Sequence, residues 1–265
     1  MAPYDFSAPD ADVILCSSDK KEFRVHRLIL SLSSPVFQGM FALPQSANPG
    51  PQTPTIDISE HSDVLGPFIQ YLYPQSPPKV TDISMWATLY TIAHKYIAEG
   101  VTEPLRGILI PRFLETSPLR VYALASRWGF EEEAKIASRK TLTIDIFKNF
   151  PQEDAELMGG RACQQLYLLH FNRREAARAL VEKHPAPVTK DKDCKCGSLN
   201  CNRLVTALSQ RVSTIPWLTA EELCEEIAKG DYPKKCGNNC RNTIRNAHTY
   251  FSSLLGAISN LPQTV

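Results

Sequence analysis

The chain has 265 residues, 29 lysines and arginines against 28 aspartates and glutamates, and a hydrophobic fraction of 43%. That length suits two domains with an appendage, and a net charge of +1 gives no general reason to expect nucleic acid or an anionic membrane as partner. No transmembrane stretch is present. Residues 1–12, with Asp5, Asp10 and Asp12 and no apolar run, do not read as a signal or transit peptide, so an intracellular protein is expected, nucleus and cytoplasm not being distinguished.

Asp12-Val13-Ile14-Leu15-Cys16 reads as a strand. After the polar turn Ser17-Ser18-Asp19-Lys20, the alternation of Phe23 and Val25 with Glu22 and Arg24 reads as a second, and the two make a β-hairpin. Beyond His26 the period changes. Leu28, Ile29 and Leu32, then Val36, Phe37, Met40 and Phe41, recur at helical spacing, and Ser33-Ser34-Pro35 can stop one helix and start another with a serine cap and an early proline.

Together, Asp12-Val13, Phe23 to Arg27, Leu30, Ser33-Ser34-Pro35-Val36-Phe37 and Met40-Phe41 resemble the opening of a BTB/POZ domain. The resemblance implies an α+β fold, a small β-sheet flanked by helices, and a protein-binding role.

Residues 42–54, with Pro44, Pro49, Pro51 and Pro54, read as a loop. Thr55 to Ile58 alternates as a strand. A helix from Asp63 shows Val64, Leu65, Phe68, Ile69 and Leu72 on one face and breaks at Pro74. Asp82 to Tyr96 is the next helix, and both Tyr71-Leu72-Tyr73 and Ala93-His94-Lys95-Tyr96 are similar to BTB segments. Thr102-Glu103-Pro104 is expected to open a further helix, which Pro111 should bend or end.

Ser117-Pro118 starts another helical segment, and Glu131 to Leu142 a second. This pair resembles the helical extension of a large fungal group of BTB proteins; the periodicity alone supports a helix pair behind the first domain. Gly159 to Lys183 reads as a long amphipathic helix with Cys163, Leu166, Tyr167, His170 and Phe171 apolar and Arg173, Arg174 and Arg178 polar. Pro185-Ala186-Pro187 links it to a tail in which 202–212, 219–229 and 241–261 read as helices. The expected organisation is a flexible N-terminus at 1–9, the BTB/POZ domain at 10–115, an all-α extension at 116–185 and a cysteine-containing helical tail at 186–265.

Catalytic motifs are missing: there is no Gly-x-Ser-x-Gly, P-loop, Gly-x-Gly-x-x-Gly or His-Glu-x-x-His, and the six histidines are dispersed. A non-enzyme is expected. Cys16, Cys163 and Cys224 read as apolar core side chains. Cys194, Cys196, Cys201, Cys236 and Cys240 offer five thiols for a four-ligand site at spacings that suit one structural zinc, with buried free thiols or a disulfide as the competing readings. The basic residues Lys195, Lys234, Lys235, Arg241 and Arg245 raise a nucleic-acid-binding tail, but a solvated helix face countering thiolate charge explains them more simply.

The resemblance also implies interaction sites. Asp12, His26 and Arg27 match the charged pocket at the dimer groove of transcription-factor members; alternatively they cap the first helix and close the hairpin. Leu43-Pro44-Gln45 is the nearest match to the apolar-x-Glu motif of cullin adaptors, with Gln45 lacking the charge, or simply a proline-rich loop. A homodimer is implied by the family. With about a dozen residues before the first strand, the exchanged N-terminal arm is not expected, which leaves helix against helix. The leading function is a protein-interaction scaffold or adaptor; the alternatives are a substrate adaptor of a cullin-type ubiquitin ligase and a nuclear transcription-associated regulator.

Overall fold

In the computed structural model, which describes residues 6–43, 53–148, 150–183, 249–250 and 252–265, the hairpin pairs β1 (Val13–Cys16) with β2 (Glu22–Val25). The strands are antiparallel, with Val13 opposite Val25 and Leu15 opposite Phe23. Strand β3 (Thr55–Asp57) adds parallel to β1, giving the order β2-β1-β3. All four β1 residues are buried and β2 alternates, as expected of a central strand beside an outer one. On the outer side of β2, the Arg24 N–H donates to the Phe6 carbonyl at 2.9 Å, and the Phe6 ring meets Phe23 edge-on at 5.6 Å.

Five helices cover this sheet: α1 (Arg27–Ser33), α2 (Pro35–Ala42), α3 (Ser62–Leu72), α4 (Ile83–Lys95) and α5 (Glu99–Phe113). Ser34 stops α1 and starts α2. Its Oγ accepts from the Phe37 N–H at 3.2 Å and donates to the Tyr96 carbonyl at 2.5 Å, while Pro35 takes the first helical position. In α1 the buried residue is Leu30; Leu28 and Leu32, expected on an apolar face, point outward. The core gathers Phe37, Phe68 and Tyr96, with rings 4.7 and 5.5 Å apart, and Trp86, whose Nε1–H donates to the Leu105 carbonyl at 2.6 Å.

Helix α5 corrects the expected start and is not ended by Pro111. It starts at Glu99, ahead of Thr102, and runs through both Pro104 and Pro111 to Phe113. Each proline removes the bond to the carbonyl four residues back, that of Gly100 or Gly107. Gly100, Pro104, Gly107 and Pro111 are all exposed, so water can satisfy the freed carbonyls, while Val101, Leu105, Leu109 and Phe113 hold the buried face.

The chain divides into two compact units, Met1–Ser117 and Pro118–Val265. The second contains α6 (Pro118–Trp128), α7 (Glu131–Thr141), α8 (Gln152–Lys183) and a C-terminal helix at 252–259, here α9. The long helix begins seven residues ahead of Gly159. At Gly159 it breaks (φ 76, ψ 164), a conformation essentially reserved for glycine. Its buried ridge is Leu166, Leu169, His170, Arg173, Ala177 and Val181, so Tyr167 and Phe171 face solvent and Arg173 faces inward, reversing the expected sides.

Arg173 can be buried because its guanidinium has acceptors. Nη1 donates to the carbonyls of Leu261 (2.6 Å) and Pro262 (2.9 Å), and Nη2 to that of Ile258 (2.9 Å), filling the end of α9, whose Leu254 and Ile258 are also buried. Burial lowers the Arg173 pKa to about 10, aided by Arg139, and leaves it charged at neutral pH. No helix among the described residues is long and apolar enough to cross a membrane.

Candidate protein-interaction surface

Helix α1 begins without a side-chain cap from its own N-cap residue, His26. The cap comes from across the hairpin: Asp12 Oδ1 accepts from the Arg27 N–H at 2.7 Å. Asp12 therefore holds the backbone, and no ion pair joins it to the Arg27 guanidinium among the described residues. That guanidinium lies over the Phe41 ring, 5.5 Å from its centre, and its buried Nε has no hydrogen-bond partner.

His26 is fixed by Tyr73, whose hydroxyl accepts from the His26 N–H at 2.9 Å and sits 3.0 Å from Nδ1. The other ring nitrogen, Nε2, lies 3.5 Å from Asp10 Oδ2. Of the three sequence-predicted pocket residues, the structure brings Asp12 to the Arg27 backbone and His26 to Tyr73 and Asp10. These contacts set where α1 starts and which way it faces.

What α1 then presents is apolar. Leu28 and Leu32, one turn apart, are 69% and 80% exposed. Beside Leu32 lies a groove of about 520 Å³ lined by Ser33, Leu72, Ile97 and Val101 among others. Ile97, one of its lining residues, is 52% exposed with φ of 51, where the end of α4 is closed by bonds from the Ile97 N–H to the His94 carbonyl (3.1 Å) and from the Ala98 N–H to the Ala93 carbonyl (2.9 Å). Glycine is the usual residue at such a helix end, and a β-branched one there is strained. Sequence reasoning missed Ile97; the available signal was an isoleucine directly after the Lys95-Tyr96 helix end.

A second acid from the hairpin acts on α3 as Asp12 does on α1. Asp19 accepts from the Ser62 N–H (2.8 Å) and Oγ (2.7 Å), and the Ser62 hydroxyl bond, first among several, holds its carboxyl well below the usual range. Two of the helices that line the groove, α1 and α3, are thus positioned by acids from the hairpin region.

Leu43, the apolar member of the expected cullin motif, is 64% exposed at the end of α2; Gln45 lies outside the described residues. Also outside them lie Cys194, Cys196, Cys201, Cys236, Cys240 and Cys224. Cys16 is buried and Cys163 half-buried. Among the described residues no group of three or more His, Cys, Asp or Glu side chains could hold a metal.

The family of the BTB/POZ domain matches residues 7–110. No curated protein matches the chain.

Proposed function

Since residues 7–110 are a BTB/POZ domain, a module through which proteins bind one another, we propose that this chain is a scaffold or adaptor that grips partners through the outer face of α1 and the groove running to Ile97. The observation that carries this reading is the exposure of Leu28 and Leu32 on a helix whose start is locked by Asp12 and Tyr73. Contiguous exposed apolar side chains on a rigid element are what a protein partner covers.

The same face suits a second copy of the chain, helix against helix. Light scattering on the purified protein tests it: a dimer that Leu28→Asp with Leu32→Asp converts to monomer supports self-association. A monomer whose partner capture survives both changes removes α1 as the binding face.

The exposure of Leu43 favours a second reading, a cullin adaptor. A glutamate in place of Gln45 would restore the missing charge, so Gln45→Glu should strengthen cullin pull-down; no capture by either form eliminates this reading. For the tail, we retain one structural zinc held by four of Cys194, Cys196, Cys201, Cys236 and Cys240. Metal analysis of reduced protein should return about one zinc per chain; none refutes it.

A further inference from the structure

The unit from Pro118 onward exposes an aromatic surface that its own packing does not require. Phe147, Tyr167, Leu168 and Phe171 are 38%, 50%, 44% and 44% exposed. Tyr167 and Phe171 are one turn apart on α8 with parallel rings 6.2 Å apart, and Phe147 meets Tyr167 edge-on at 5.2 Å. The turn that carries Phe147 is anchored from beneath by buried Ile146, and Asp145 Oδ1 accepts the Phe147 N–H at 3.1 Å. These rings are therefore held outward by local structure.

Arg174 completes the surface. Its guanidinium lies over Phe147, 4.5 Å from the ring centre, and has no hydrogen bond or ion pair among the described residues. Stacking restricts the side chain while leaving its N–H edges free, the state in which arginine takes a carboxylate with least loss of freedom. One turn on, Arg178 is matched by Glu182 at 3.0 Å; Arg174 has no such match. Lys148 adds a second exposed positive group beside Phe147. Because the rings already lie against one another, they offer edges and the gaps between them to an aliphatic or aromatic side chain, rather than open faces to stacked bases.

We infer that the Phe147–Tyr167–Phe171 surface with Arg174 is a second docking site, for a short acidic segment of another protein that carries an apolar anchor next to a carboxylate. Tyrosine, phenylalanine and arginine clustered around a fixed charge are the makings of an interface hot spot. This site lies within the unit from Pro118, and its test does not rest on the reading of the α1 face.

Panning a random dodecapeptide phage library on the full chain tests the inference. Enriched peptides should place Asp or Glu beside Leu, Ile, Phe or Trp. Their affinity, read by fluorescence anisotropy, should fall about tenfold or more in Phe171→Ser and in Arg174→Gln, and less in Arg174→Lys, which keeps the charge without the forked geometry. The replaced side chains are surface ones, so melting by circular dichroism should stay matched, and Tyr167→Ser substitutes for any variant that melts early. No enrichment, enriched peptides without an acid, or affinities unmoved by both Phe171→Ser and Arg174→Gln would overturn it. So would sedimentation showing that Phe171→Ser dissociates a homodimer, which would give the surface to a second copy.

Discussion

A β-branched side chain at φ 51, as at Ile97, costs about 1–2 kcal/mol relative to the ordinary helical conformation, and the side chain recovers only part of its burial because half of it stays in water. Replacing Ile97 by glycine trades that strain against a partly buried side chain and a freer unfolded chain. The urea midpoint of Ile97→Gly should therefore stay within about 1 kcal/mol of the parent, while partner binding through the α1 groove falls. A larger loss of stability would mean that Ile97 is a packing residue. His170 shows a different tension. The Thr141 hydroxyl donates to the Ser138 carbonyl at 2.6 Å, so it accepts from His170 Nε2, 3.0 Å away, and leaves buried Nδ1 without a partner. A second proton there would enter a site with no acceptor, and burial, followed by Arg174 and Arg173 and opposed by Asp145, lowers the pKa to about 4.

At the scale of elements, Ser34 joins three helices: its backbone N–H closes α1 on the Leu30 carbonyl, while its hydroxyl caps α2 at the Phe37 N–H and donates to the carbonyl of Tyr96, the C-cap of α4. Ser34→Ala should cost about 2–3 kcal/mol in urea unfolding, a cap plus a buried acceptor left unmet; a loss under about 0.5 kcal/mol would show that water replaces the hydroxyl. This junction was legible in the sequence because cap and proline are local signals. The hairpin and the helices α3, α4, α6 and α7 were legible for the same reason, each carrying its own period and stop. What escaped was set by tertiary surroundings. Pro104 looks like a helix start and Pro111 like a bend or an end until Gly100 and Gly107, whose carbonyls lose their bonds, are seen to lie on the exposed side of one continuous helix. Arg173 looks like an exposed cation until the end of α9 supplies its acceptors, and Tyr167 and Phe171 look like core until Leu166, Leu169 and His170 fill that place. In the charged cluster the residue types were readable, but Asp12 serving a backbone N–H rather than a guanidinium depends on hairpin register, which composition does not encode.

For the whole molecule, the two units should answer acid differently. His170 binds a proton less readily folded than unfolded, so its contribution to the unit from Pro118 is fully present above about pH 6.5 and is lost progressively toward pH 4, about 2 kcal/mol of it between pH 7 and 5. The shifted carboxyls of the N-terminal unit lie on the other side of that window. Asp19 is held down by Ser62 and Asp82 by the Met85 N–H; burial pushes Glu60 up, but bonds from Lys95 and Tyr96 outweigh it. Their contributions persist above the ordinary carboxylate range and fade only below it. Hydrogen exchange at pH 7 and pH 5 should accordingly show α7 and α8 losing protection before the β-sheet does, and His170→Gln should remove the difference; equal losses in both units would contradict the assignment. The guanidinium seated against the end of α9 carries a last consequence. Because Arg173 on α8 bonds the carbonyls of Ile258, Leu261 and Pro262, a chain cut once between positions 184 and 248 should yield two pieces that still travel together on a native gel and part only in denaturant. With Arg173→Met, the shorter piece should wash away.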